Sequence, residues 1–174
     1  MYRSDKIFLL GFMGSGKSTT GRKLAVRLNW TFIDLDEKIE EAAGMKISDI
    51  FQRKGEPWFR ELEKQELHKL SDVSKAVIST GGGTPCFGDN MNFMVSSGIT
   101  IYLRMTPEKL QDRLRHASDE RPLLKDIAKE NLKEYIIRKV EEREKWYLQA
   151  RMVIDECNAE TDTLYSRVRK LVKE

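Results

Sequence analysis

The stretch "IFLLGFMGSGKST", Ile7 to Thr19, limits what this chain can fold into more than any other. An apolar run suited to a buried strand, Lys6–Leu10, passes straight into a glycine-rich loop that ends in Lys17 and Ser18. Gly11, Gly16, Lys17 and Ser18 fit G-x-x-x-x-G-K-[ST], the phosphate-binding loop, over residues 11–18. Gly11, Gly14 and Gly16 let the backbone wrap an anion with its N–H groups turned inward. A helix opening near Lys17 adds the positive end of its dipole. Lys17 then reaches the β- and γ-phosphates, and the Ser18 hydroxyl suits Mg²⁺. The motif follows a strand and opens a helix, which is the context it requires, so the loop is expected to hold ATP or GTP with Mg²⁺.

The rest of the chain agrees with a nucleotide-binding α/β fold. Strand candidates at Trp30–Ile33, Ala76–Ser79, Ile99–Leu103 and Met152–Ile154 alternate with amphipathic stretches such as Glu56–Leu70 and Asp126–Ala150. That alternation predicts a parallel sheet with helices on both faces. The 174 residues, with no repeat or linker, suit one domain over 1–174. The N-terminal apolar run is too short for a signal peptide or membrane span. Two cysteines, Cys86 and Cys157, stand far apart in no metal-ligand spacing, which favours a reduced, cytoplasmic setting. A net charge of +3 gives no reason to expect nucleic acid as a partner.

Further residues bear on a second substrate. In "TFIDLDEKI", an extended backbone would turn Asp34 and Asp36 to the same side and Leu35 away. At the carboxyl end of a strand they would face the crevice where open α/β sheets bind ligands. One would serve the metal and the other would accept a proton from an attacking hydroxyl. The competing reading is that Asp36 caps a helix beginning at Glu37. "AVIST" is expected to end its strand without the metal-binding acid of many phosphate-loop enzymes, running instead into Gly81, Gly82 and Gly83. These leave backbone accessible to a ligand. Arg60 lies near a helix N-terminus, an unfavourable place for a cation. Arg143 falls on the apolar stripe of Leu132, Ile136, Val140 and Tyr147, where an arginine can also simply pack its stem and wet its head. Together the two arginines point to bidentate binding of an acceptor carboxylate. "RHASDERPLLKD", Arg115–Asp126, reads either as a plain surface connection or as a flap.

In order and spacing, "GFMGSGKST", "FIDLD", "GEPWFR", "GGG", "RPLL" and "REKWY" resemble the shikimate kinases, over nearly the whole chain from Ile7 to about Ile154. The resemblance implies a three-layer α/β/α P-loop NTPase fold of the nucleoside-monophosphate-kinase type. Its five parallel strands would run in the order 2-3-1-4-5, with an acceptor-binding region at about 34–61 and a mobile lid at about 112–125. The implied reaction moves the γ-phosphoryl group of ATP to the 3-hydroxyl of shikimate, on the route to chorismate and the aromatic amino acids. By the same resemblance Gly14, Ser15, Gly16, Lys17, Ser18 and Thr19 surround the phosphates, with Ser18 on Mg²⁺ and Asp34 on a metal-bound water. Asp36 binds shikimate hydroxyls and is the candidate base. Arg60, Arg143 and the glycine loop, Gly82 foremost, bind shikimate. Arg121 of "RPLL" closes over the phosphates, and Arg113, with Arg115 as a rival, packs on adenine. A monomer is the family's usual state.

The chain departs from the family pattern twice. Lys145 stands where the family usually has proline, so the end of that helix is expected to continue straighter. "VIDECNAETDT" lacks the arginine often found near adenine, leaving Asn158 or main chain for that contact. A kinase of another small hydroxy acid, such as gluconate, shares the loop and fold. A non-catalytic nucleotide-binding module is the alternative of a different class; it is disfavoured because Lys17, Asp36 and Arg60 are all present.

Overall fold

The structure is a computed structural model and describes residues 4–115, 124, 127–155 and 161–172. Its frame is a five-stranded, all-parallel sheet in the order β2-β3-β1-β4-β5. The strands are β1 (Lys6–Leu10), β2 (Thr31–Asp34), β3 (Ala76–Ser79), β4 (Ile99–Arg104) and β5 (Met152–Asp155). The helices are α1 (Lys17–Leu28), α2 (Leu35–Ala43), α3 (Ile47–Arg53), α4 (Glu56–His68), α5 (Asn90–Ser97), α6 (Pro107–Leu114), α7 (Leu132–Tyr147) and α8 (Thr161–Arg169).

The strand period of two divides the apolar residues between the faces of the sheet. Ile7 and Leu9 of β1, Val77 of β3 and Ile99, Ile101 and Leu103 of β4 pack with Leu24 of α1 and Leu164 and Val168 of α8. Phe8, Leu10, Ala76, Ile78 and Tyr102 point the other way, into a core with Ile39, Ile50, Phe59, Leu67 and Tyr147. Strands covered on both faces read as unbroken apolar runs, which is why β1 was legible. A third cluster, with Phe12, Met105, Leu110, Leu114 and Ile136, joins α6 to α7 beside the phosphate loop.

The boundaries differ from the sequence reading in informative ways. Trp30 is not in β2. Asn29 takes the left-handed conformation (φ 55°) to close α1, and the Trp30 amide donates to the Ala25 carbonyl, so the strand starts one residue later. β4 and β5 each run one residue further than expected, because Arg104 and Asp155 are register partners and pair at 2.5 Å. α4 gives way at His68 to a 3₁₀ turn, Lys69–Asp72. α7 occupies only Leu132–Tyr147 of the expected 126–150, preceded by a 3₁₀ turn at Lys129–Asn131. It runs through Lys145 without interruption, and the Lys145 ammonium lies 4.2 Å from the Trp146 ring centre.

The strand order sets the place of the site. From β1 the chain moves outward to β2, whereas from β3 it crosses to β4 on the other side. The loops after β1 and β3 therefore part in opposite directions and open a crevice at the carboxyl ends of those two strands. The phosphate loop and the triple glycine are those two loops.

Candidate active site

β1 ends at Leu10, and the chain turns through Gly11, Gly14 and Gly16 at φ 145°, 80° and 87°, values that disfavour any side chain. A Cβ on Gly11 would also stand 2.7 Å from the Leu103 carbonyl oxygen. α1 then starts with Gly16 as its N-cap, no side-chain cap and no acidic residue in its first turn. The amide end of the helix thus faces the loop with no anion of its own, an arrangement suited to phosphate. Lys17 is buried, and its Nζ donates to the carbonyl oxygens of Gly11 (2.8 Å) and Phe12 (2.9 Å). Arg113 of α6 donates from Nη1 to the Gly14 carbonyl at 3.2 Å. Arg115 instead has an exposed side chain that stands 4.0 Å from Asp112. Of the two arginines the sequence left open, Arg113 is the one at the phosphate loop. Arg121, Asn158, Cys157 and most of the segment expected as a lid lie outside the described residues.

The aspartates are arranged differently from the extended pair expected. α2 begins at Leu35, and Asp34 is its N-cap: Asp34 Oδ1 accepts from the Asp36 amide at 3.1 Å. Asp36 lies in the first helical turn and is not the cap, which corrects the capping alternative for that position. Both carboxylates nonetheless face the same pocket with Gly14, Lys17, Ser18, Thr19 and Arg113. The Ser18 hydroxyl donates to Asp34 Oδ2 at 2.7 Å and lies 3.2 Å from the Ser79 hydroxyl. Ser79 closes β3 where many phosphate-loop enzymes carry an acid. Among the described residues no three His, Cys, Asp or Glu stand together as a metal cluster. One hydroxyl backed by one carboxylate fits Mg²⁺, which keeps waters and takes phosphate oxygens rather than a full protein cage.

A second pocket adjoins the first. Its apolar wall is Ile47, Phe51 and Phe59, and its polar groups are Asp36, Arg60, Glu63 and Arg143. Met13, Asp36, Gly81 and Gly82 line both pockets. Each glycine of the triple run stands where an added Cβ would be tight against a neighbour. A Cβ on Gly81 would stand 3.2 Å from Asp36 Oδ1 and from Glu63 Oε1. On Gly82 it would stand 3.1 Å from the Met13 amide nitrogen and 3.5 Å from Arg143 Nη1, and on Gly83 only 2.7 Å from Arg60 Nη2. Gly83 is thus seen to admit the Arg60 guanidinium, a reason the sequence did not disclose.

The arginines are held in unlike ways. Arg60 donates from Nε and Nη2 to Glu56 Oε1 (3.1 and 3.0 Å) and from Nη1 to the buried Glu63 at 2.8 Å. These acids offset the misplacement of a cation near the start of α4. Glu63 also accepts from the Thr84 hydroxyl at 2.6 Å. Arg143 is buried on α7, and its Nη1 has no hydrogen-bond partner among the described residues. A buried donor without a partner is uncommon and suits an anionic ligand. One turn on, the Tyr147 hydroxyl donates to the Gly82 carbonyl at 2.5 Å, and burial pushes its pKa up. Burial likewise raises the Cys86 thiol, to about 11, despite the nearby arginine charges.

Sequence reasoning missed Ser79, Glu63 and the work of the Tyr147 hydroxyl. Glu63, three residues after Arg60 on one helix face, left a readable signal. The pairing of Tyr147 with Gly82, far apart in the chain, left none.

A phosphate loop on β1, a second pocket sharing its wall and a 2-3-1-4-5 parallel sheet define a P-loop kinase of a small molecule, built like the nucleoside-monophosphate kinases. The model of the shikimate kinase family matches residues 13–173, and the chain belongs to that family. It is 44% identical over 150 residues to the shikimate kinase of Bacteroides thetaiotaomicron, an alignment covering 86% of each chain. The crystal structure of shikimate kinase from that organism superposes with a TM-score of 0.86 at 40% identity, covering 95% of this chain and 97% of the other. The shikimate kinase of Acinetobacter baumannii in complex with shikimate gives a TM-score of 0.87 at 31% identity, over 97% of this chain and 92% of that one. The activity of the chain is ATP-dependent phosphorylation of shikimate, a step toward the aromatic amino acids.

Proposed function

We propose that the two pockets hold ATP and shikimate side by side and that Asp36 works at their boundary. The observation that carries this is the shared wall. Asp36, Gly81 and Gly82 line the phosphate pocket and the acceptor pocket alike, so a group bound in one is adjacent to a group bound in the other. In this reading Gly14 to Thr19 wrap the phosphates and Lys17 exchanges its two loop carbonyls for phosphate oxygens, neutralising charge on the group in transit. Arg113 contacts the nucleotide. Ser18 and Asp34 would hold Mg²⁺, Asp34 through water, and the ion would neutralise phosphate charge. Arg60 and Arg143 grip the shikimate carboxylate, with the Gly82 backbone against the ring. Asp36 binds the 3-hydroxyl, orients it toward the γ-phosphorus and accepts its proton as the new P–O bond forms and the bond from the γ-phosphorus to the bridging oxygen breaks, with ADP leaving.

Two further expectations, that Arg121 closes over the phosphates and that the enzyme is a monomer, rest on the family resemblance alone. Length, cysteine usage and the small net charge support one domain that acts in the cytoplasm on small molecules rather than on nucleic acid or membrane.

Calorimetric titration separates the two halves of the reading. Lys17→Ala is expected to lose nucleotide affinity and retain shikimate binding, and Arg143→Ala to do the reverse. An Arg143→Ala protein that binds shikimate normally would remove the acceptor pocket from the proposal.

A further inference from the structure

Phe87 is a large aromatic residue left exposed, with 37% of its surface in contact with solvent, directly after the 3₁₀ turn Thr84–Cys86. Its ring centre lies 3.9 Å from the Arg60 guanidinium carbon. Gly83 stands against the same guanidinium, close enough that a Cβ there would meet Nη2 at 2.7 Å. The turn carrying the ring is firmly held. The Thr84 hydroxyl donates to Glu63, and the Thr84 carbonyl accepts from the buried Asn90 side chain at 3.0 Å. Glu56 and Glu63 take donors at the edge of the guanidinium, and of the two rings against it Phe87 stands nearer than Phe59, whose centre lies 5.0 Å away.

We propose that Phe87 is a positioning residue for acceptor binding: its ring face fixes the plane of the Arg60 guanidinium and so aims the fork that receives the shikimate carboxylate. The inference rests on the reading of Arg60 as a carboxylate ligand. A cation over an aromatic face is held by the ring quadrupole, which an aliphatic side chain of equal bulk lacks. A planar fork is worth most to a planar carboxylate when its orientation is set before binding. Phe87 acts through Arg60 and has no part in the phosphoryl transfer itself.

The test compares Phe87→Leu, Phe87→Met, Phe87→Tyr and Arg60→Ala in steady-state kinetics with both substrates and in thermal unfolding. Leucine and methionine keep apolar bulk without the ring face, and either serves if the other fails to fold. They are expected to raise KM for shikimate about threefold to tenfold while KM for ATP and the unfolding midpoint hold. Tyrosine keeps the face and is expected to restore the wild-type KM. Unchanged KM in the aliphatic variants, a tyrosine variant no better than leucine, or equal losses toward both substrates would overturn the role of Phe87. Arg60→Ala with normal shikimate affinity would instead defeat the carboxylate reading on which it rests.

Discussion

Asp34 and Asp36 do different work because a helix starts between them. Asp34 closes β2 and caps α2, and it also accepts from Ser18, so substitution there touches a cap and the proposed metal position together. Asparagine caps as well as aspartate but carries no charge for a metal-bound water. Asp34→Asn is therefore expected to keep its fold and shikimate affinity while needing more Mg²⁺ for half-maximal rate, read from an Mg²⁺ titration of turnover. Asp36 is not the cap of α2, and asparagine keeps its size and can still hydrogen-bond, so Asp36→Asn should fold normally and lose about 10²- to 10⁴-fold in kcat through the missing base. Wild-type turnover in that variant would strip Asp36 of its assigned role. Cys86 makes a separate prediction. A thiol whose pKa is raised to about 11 is protonated at neutral pH, and its thiolate forms only as pH climbs toward that value. Iodoacetamide should label it far more slowly than a free thiol below pH 9, measured by peptide mass spectrometry so that Cys157 is scored apart.

At the level of elements, much of the architecture was legible because one rule operated in each part. Buried parallel strands leave continuous apolar runs, and the phosphate loop needs its glycines and lysine at fixed spacing, so β1 was read to the residue and so was the start of α1. What resisted were the ends and the contacts between elements. The start of β2 depends on Asn29 adopting a left-handed cap, and the last residues of β4 and β5 on an ion pair between strands distant in sequence. The triple glycine was read as open backbone, and its further reason, room for Asp36, the Met13 backbone and Arg60, exists only once α2, α4 and the phosphate loop are docked around it. The same docking makes Tyr147 testable. Tyr147→Phe keeps the ring beside Tyr102, at 4.9 Å between centres, but leaves the Gly82 carbonyl without its donor. A loss of about 1–3 kcal/mol in denaturant unfolding is expected. Unaltered stability would show that the contact contributes nothing.

For the whole molecule, the sheet ties both pockets to one frame. The pocket proposed for the acceptor rests on the core that also holds Phe8 and Leu10 of β1, and the opposite face of β1 anchors α1 behind the phosphate loop. A ligand in either pocket is therefore expected to stabilise the entire chain. At a hundredfold excess over Kd the gain is about 2.7 kcal/mol, or about 5–10 °C in Tm for a chain of this size. Calorimetric scans with nucleotide alone and with shikimate alone should each move a single transition. A scan that splits in two with shikimate would mean that α2 to α4 melt as a unit of their own. The glycine loop carries a last consequence, for inhibitor resistance. A compound packed against residues 81–83 would meet a wall where an added Cβ crowds Thr84, Asp36 and Glu63 at position 81, the Met13 backbone at position 82 and Arg60 at position 83. Escape by bulk at that wall would damage the enzyme that needs to escape. Resistant lines selected against such a compound should carry their changes at Ile47, Phe51 or Phe59, on the apolar side of the pocket.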